Sequence, residues 1–282
     1  MPQESKPPPN ASLNLKGNYK EDDEPVNGYR LKRFIGQGSF GTVWEATAPG
    51  QARAALKIIP LTGKQGKKEF RGMSWVKKIK HPYLVPIQAL FLKDQHGELI
   101  EDWEGSVGLG STSEVAESPN SLQEDAKRPR EMILVMGLGD KSLRDRLKEC
   151  RDEGLTSIPA KELLRYIKDV AGAVDFLNSP VHDLGDGQSE SIIHRDVKPQ
   201  NIMLAGDSAQ LSDFGLARPL SKHSIAASRG VGAALAYAAP ETLKENSPTT
   251  KTDQYSLAIT YYKLRTGKLP FSNRSTDWDM IM

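Results

Sequence analysis

A single cysteine, Cys150, stands among 282 residues, so no internal disulfide can brace this chain. That scarcity suits a reducing compartment, and the expected location is cytoplasmic. Cys150 lies in LKECRDEG, a charged helix end, where a surface thiol is expected rather than a nucleophile. Neither sign of charge is in excess. With 38 Lys plus Arg against 36 Asp plus Glu, the chain lacks the net basic charge that marks nucleic-acid binding. No run of about 18 apolar residues offers a membrane span, and the N-terminus MPQESKPPPN lacks the apolar stretch of a secretion signal. Residues 1–28 also lack periodicity and carry KPPPN and KEDDEPVNG, so they read as a disordered leader with order beginning near Tyr29.

What remains is enough for a sizeable core, since 38% of the residues are hydrophobic. From YRLKRFIG through TVWEATA to ARAALKIIP run three strand-length segments with Gly- or Pro-containing breaks, the pattern of an antiparallel meander. KKEFRGMSWVKKIK follows with Phe70, Met73, Val76 and Ile79 on one helical face. YLVPIQALFLKD and EMILVMGL read as two further strands, separated by a Gly/Ser/Glu-rich insertion over about residues 101–130. The second half differs. AKELLRYIKDVAGAVDFLNS places Leu163, Ile167, Val170, Val174 and Leu177 at alternating spacings of four and three, an amphipathic helix.

Two stretches carry chemistry. In GQGSFGTV, Gly36, Gly38 and Gly41 fit G-x-G-x-x-G, a weak signal because glycines admit phosphates in several unrelated folds. A dinucleotide fold would need a helix directly after the glycines and an acidic residue about 20 positions on. Here a strand-like run follows, and Lys57 stands at that distance inside AALKII, the arrangement of a triphosphate site with a glycine-rich lid. In IIHRDVKPQNIML, a histidine, arginine, aspartate, lysine and asparagine fall within eight positions between two apolar runs, so they sit on a loop held at both ends.

GQGSFGTV, AALK, HRDVKPQN, DFG at 213–215 and APE at 239–241 occur in the order and rough spacing of the eukaryotic-like protein kinase family, which the chain resembles over about residues 29–271. HRDVKPQN, with Lys198 two positions after Asp196, is similar to the serine/threonine branch. The resemblance implies an α+β, two-lobed fold: a small antiparallel-sheet lobe over 29–137 and a larger, mostly helical lobe over 138–282, the latter expected to be truncated. It implies ATP and Mg2+ as cofactors and Ser/Thr-bearing proteins as substrates. Asp196 would orient or accept the hydroxyl proton, Lys198 would neutralise the transferring phosphoryl group, and Lys57 would meet the α- and β-phosphates. Asn201 and Asp213 would hold metal. Gly36, Gly38 and Gly41 would cover the phosphates. Val43 and Ala55 would cover one adenine face and Met203 the other, with Met136 as gatekeeper and Gly137 to Gly139 as hinge. The hinge glycines are expected to loosen the linker. His194 is expected to tie the loop to the fold, and Asp253 to hydrogen-bond the loop backbone.

Two departures stand out. The helix glutamate that pairs with the lysine in this family aligns with Gly72, leaving Glu69 one turn earlier as the candidate. The threonine expected upstream of APE aligns with Ala234. These features keep an ATP-binding pseudokinase scaffold as the alternative reading, while the segment between DFG and APE disfavours a small-molecule kinase. That segment holds Ser221, Ser224 and Ser228 as candidate autophosphorylation sites beside Arg195. Glu241 is expected to be a buried, unpaired carboxylate, and the 282-residue chain to be marginally stable.

Overall fold

A computed structural model describes residues 19–38, 41–61, 78–100, 129–183, 187–213, 217–219, 236–244 and 247–271. Five strands, β1 (Arg30–Gly38), β2 (Gly41–Thr47), β3 (Arg53–Pro60), β4 (Ile87–Lys93) and β5 (Glu131–Met136), form one antiparallel sheet in the order β1-β2-β3-β5-β4. Alternation sorts their side chains. Trp44, Ala46, Ala54, Leu56, Ile58, Ile133 and Val135 bury one face together with Leu31. Val43 is paired across from Lys57, Lys57 from Leu134 and Ala55 from Met136, so these five share the opposite face.

Residues 19–28 pack onto this sheet ahead of β1. The Asp22 N–H donates to the Leu31 carbonyl at 2.9 Å, and the Leu31 N–H returns to the Asp23 carbonyl at 2.9 Å. Val26 is buried against the sheet, and the Tyr19 hydroxyl donates to Glu131 at 2.6 Å with Lys93 over its ring. Two isolated apolar anchors hold this polar stretch, which is why it shows no periodicity. Burial pushes both the Glu131 carboxyl and the Tyr19 hydroxyl above their ordinary pKa ranges.

The large lobe opens with β6 (Lys141–Ser142) and α1 (Leu143–Asp152). Ser142 and Asp145 form a reciprocal capping box at its start. Leu143, Leu147 and Cys150 lie at i, i+4 and i+7 on its buried face. Cys150 is therefore fully buried, correcting the surface placement, and burial pushes its thiol pKa up, away from nucleophilic behaviour. The long helix α2 (Ala160–Asn178) buries Leu163, Val170, Val174 and Leu177 as its spacing predicts, with Tyr166 and Ala173 beside them. Each fully buried Leu or Val side chain contributes about 1.5–3 kcal/mol. Short strands follow: β7 (His182–Asp183), β8 (Ser189–Glu190), β9 (Ile192–Ile193), β10 (Ile202–Ala205), β11 (Ser208–Leu211) and β12 (Arg218–Pro219). They pair as β7 with β8, β9 with β12, and β6, β10 and β11 in one small sheet. Helices α3 (Pro240–Lys244) and α4 (Thr252–Thr266) complete the described chain.

Backbone bonds join the lobes at Leu211, and a further one ties the chain just past the hinge to the small sheet of the large lobe. The Leu211 N–H donates to the Tyr83 carbonyl (2.8 Å) and the Val85 N–H to the Leu211 carbonyl (2.9 Å), while the Asp140 N–H reaches the Leu204 carbonyl (2.7 Å). The expected helix around residues 67–80 falls almost wholly outside the described residues, as do most of the insertion and the serines at 221, 224 and 228. Among the described residues, no helix is long and apolar enough to cross a membrane.

Candidate active site

The glycine motif lies where two strands turn. β1 runs to Gly38 and β2 begins at Gly41, with Gly36 paired to Val43 and Gly38 to Gly41, so the motif opens onto a strand and not a helix. Gly41 has φ 156°, and a Cβ there would stand 2.0 Å from the Ile58 carbonyl oxygen. Only glycine fits so close to β3. A Cβ at Gly36 would meet no atom within 4 Å, leaving open space on that side of the hairpin.

Lys57 is 3% exposed at its side chain and its Nζ lies 2.5 Å from Asp213 Oδ1. A buried ammonium needs such a partner. The pairing brings together two residues 156 positions apart, one from each lobe. Glu69 and Gly72 lie outside the described residues, as do Phe214, Gly215 and Ala234.

The loop between β9 and β10 is tied down from several directions. Its two flanks are buried at Ile192, Ile193, Ile202 and Leu204. Asp253, fully buried in the first turn of α4, accepts from the His194 N–H (2.7 Å) and the Arg195 N–H (2.8 Å), as expected. Burial pushes the Asp253 carboxyl up in pKa against the stabilising effect of those donors. Arg195 adopts φ 67° and Asp213 the same value, left-handed conformations that cost about 1–3 kcal/mol each and persist where surrounding bonds over-determine them. His194 is fully buried. Its Nδ1 accepts from the Asp196 N–H (3.3 Å), so the ring proton sits on Nε2 and is donated to the Ser212 carbonyl (3.0 Å). Thr260 adds a bond from its hydroxyl to the Val197 carbonyl at 3.4 Å.

These ties set three side chains around one point. Lys198 Nζ lies 2.8 and 2.7 Å from the two carboxylate oxygens of Asp196. Asn201 Nδ2 donates to the Asp196 carbonyl and to its Oδ2, both at 2.8 Å. Because the amide N–H group is turned to Asp196, the Asn201 Oδ1 is left as an acceptor. The Ser212 N–H and hydroxyl both donate to the Asn201 carbonyl, at 2.8 and 2.9 Å, which carries the chain on to Asp213. Among the described residues no cluster of three His, Cys, Asp or Glu side chains could hold a metal alone. An amide oxygen and one carboxylate fit a hard divalent cation that draws its other ligands from phosphates and water.

Met136 faces the same side as Ala55, its cross-strand partner. The hinge is tighter than its glycines suggest. The Gly137 N–H donates to the Pro86 carbonyl (3.0 Å), and Cβ atoms at Gly137 and Gly139 would lie 3.1 Å from Pro86 and 2.8 Å from the Met203 Cβ. These glycines allow close approach to Pro86, just ahead of β4, and to β10, which opposes the expected loosening. Glu241 also departs from expectation, since its Oε1 accepts from the Thr252 hydroxyl at 2.7 Å. Sequence reasoning passed over Thr252 and Ser212. Their only signal was adjacency to Asp253 and Asp213.

A family profile for the protein kinase domain matches residues 29–282. Among curated proteins the chain is 27% identical over 262 residues to an Arabidopsis thaliana L-type lectin-domain containing receptor kinase, V.5, covering 92% of this chain and 33% of that protein. It is 28% identical to the leucine-rich repeat receptor protein kinase EMS1 of Arabidopsis thaliana, over 88% of this chain and 17% of that one. The proline-rich receptor-like protein kinase PERK4 of Arabidopsis thaliana is 26% identical over 98% of this chain and 38% of its own length. The chain thus spans well under half the length of these relatives.

Proposed function

This chain belongs to the protein kinase domain family, and from that premise we propose that it transfers the γ-phosphoryl group of ATP to serine and threonine hydroxyls of proteins. The observation that carries the reading is the convergence of Lys198 and Asn201 on the Asp196 carboxylate, 2.7–2.8 Å from each, on a loop whose neighbour Asp213 meets Lys57. Asp196, held by Asn201, is oriented to take the proton of an acceptor hydroxyl. Lys198, close enough to pair with Asp196, supplies positive charge where the transferring group would gain negative charge. Lys57 on β3 faces the cleft with Val43, Ala55 and Met136, so that a nucleotide phosphate could take up the cation now turned to Asp213.

Asn201 and Asp213 would hold Mg2+, which when bound neutralises phosphate charge. The adenine ring would lie between Val43 and Ala55 above and Met203 below, against the backbone of Gly137 to Gly139. Gly36, Gly38 and Gly41 would close over the phosphates. Glu69 as the lysine's partner, autophosphorylation at Ser221, Ser224 or Ser228, and action in the cytoplasm belong to the same reading. The buried Cys150 suits a reducing compartment.

The test is phosphoryl transfer from ATP and Mg2+ to protein acceptors bearing Ser, Thr or Tyr and to small alcohols, with wild type and Asp196→Asn. We expect Ser/Thr transfer that falls by about 10³-fold or more in the variant, with nucleotide affinity kept. Equal turnover by both proteins would sink the role of Asp196. Nucleotide binding by wild type with no transfer to any acceptor would select the scaffold instead.

A further inference from the structure

We propose that a cavity at the C-terminal end of α2 is a binding site for a neutral amide group, carried by a peptide or by a small molecule. The cavity encloses about 490 Å3 and is lined by the last turn of α2, by Ser191 just ahead of β9 and by the chain entering α4. None of its lining residues belongs to the site described above, so the inference stands apart from the kinase reading.

The wall holds an acceptor without a donor. Asn178, the last residue of α2, donates its Nδ2 to the Thr250 carbonyl at 3.0 Å. A carbonyl can only accept, so the orientation of the Asn178 amide is fixed and its Oδ1 is the atom left over. That oxygen is buried and accepts from no group among the described residues. A buried acceptor with no donor carries the full cost of its lost hydration, and native structures rarely keep one without a use. Ser191, only 7% exposed, adds a hydroxyl that can donate or accept.

The surroundings decide which ligand fits. Val174 is buried and gives an apolar wall, while the exposed Asp175 and Lys251 put one charge of each sign at the mouth. An anion has no proton for Asn178 Oδ1 and is opposed by Asp175. A cation is opposed by Lys251. A hydrocarbon would leave Asn178 and Ser191 desolvated and unpaired. A neutral amide supplies an N–H for Asn178 and a carbonyl for the Ser191 hydroxyl, and its flanking carbons can lie on Val174. The volume falls within the range of about 300–1,000 Å3 usual for small-molecule sites.

NMR of the full chain reads the site directly. N-methylacetamide and N-acetyl-trialanine amide, titrated separately, should shift the Asn178 side-chain NH2 and the Ser191 backbone N–H saturably, with Kd on the order of 1 mM for the tripeptide. Sodium acetate and methylammonium chloride should bind about tenfold more weakly or not at all. Tighter binding by the tripeptide than by N-methylacetamide assigns a peptide source and equal binding a free amide, and both uphold the site. Ser191→Ala should weaken the amides about fivefold and Asn178→Leu about tenfold, for the loss of one hydrogen bond each, while Lys251→Ala leaves them within about twofold. Because Asn178→Leu also removes the bond to Thr250 and can loosen the fold, Ser191→Ala is the deciding variant. Shifts that never saturate, salts that bind as tightly as the amides, or a Kd unchanged in Ser191→Ala overturn the proposal. Phosphotransfer plays no part in the measurement, so its absence would count against the kinase reading alone.

Discussion

In the small lobe, Val43, Ala55, Lys57 and Met136 reach the cleft through strand register: β2, β3 and β5 pair in antiparallel fashion and every second side chain faces inward. In the large lobe, Asp196, Lys198 and Asn201 sit on a loop that owes its shape to side chains distant in sequence, namely Asp253 and Thr260 from α4 and a carbonyl of Ser212. The first kind of positioning spreads its stability over many backbone bonds and has steric limits. The second concentrates it in a few buried polar atoms. The lobes should therefore fail in different ways, the large one when a single acceptor is lost and the small one when a backbone is pushed.

The sharpest way to break that contrast is Asp253→Ala. The buried His194 N–H and the partly buried Arg195 N–H would lose their acceptor, and with it a tie that holds Arg195 at φ 67°. We expect a stability loss of about 3 kcal/mol or more, from two unsatisfied donors at about 1–3 kcal/mol each. That is a large part of a domain's stability of about 5–15 kcal/mol. An unfolding free energy, from denaturant titration, changed by less than about 0.5 kcal/mol, the range of ordinary surface changes, would show that the loop is held by something else.

The small lobe offers a paired test. Gly41→Ala would drive a Cβ to 2.0 Å from the Ile58 carbonyl and force β2 away from β3. An expected loss of about 2 kcal/mol follows from strain at a position only glycine fits. Gly36→Ala, with nothing within 4 Å of the new atom, should change stability by no more than about 0.5 kcal/mol. If both variants unfold at the same denaturant concentration, register and not close approach sets the hairpin.

The same contrast decides what could be read from the sequence. Alternation in AALKII and EMILVM placed Ala55, Lys57 and Met136 on one face, and the spacing of Leu163, Val170, Val174 and Leu177 located α2 to within a residue. Local periodicity reports on such elements because burial is repeated along them. The loop geometry depends on Asp253, more than fifty positions onward, and only resemblance to a family made that pairing expected. Cys150 was misplaced because the charges around it in LKECRDEG masked the i, i+4, i+7 spacing from Leu143 and Leu147, which points inward. Tyr19 and Val26 lie in a polar stretch with no period, yet two anchors are enough to dock it. Thr252 gave no signal beyond its neighbour, since a hydroxyl committed to a carboxylate eleven positions away leaves no pattern.

The smallest expected effect sharpens the comparison at the place where the lobes meet. His81 belongs to the segment whose Tyr83 and Val85 bond to Leu211, and its ring stacks on Phe176 of α2 with centroids 4.7 Å apart. Its Nδ1 accepts from the Tyr83 N–H at 3.3 Å, a bond that requires this nitrogen to be unprotonated. His182 also packs edge-on against Phe176, at 4.8 Å, with its Nε2 against the Phe176 and Leu177 carbonyls. Burial holds the His81 pKa below its ordinary 6.5. The unfolded chain therefore takes up a proton near the ordinary value while the folded chain still resists it. Stability from the neutral ring is fully present above that value and is lost as pH falls through the window down to the folded pKa. Unfolding free energies measured at pH 7.5 and 5.5 should drop more on acidification for wild type than for His81→Gln, which cannot titrate there. An equal drop in both proteins would mean that this junction does not sense protons and that the acid response of the chain arises elsewhere.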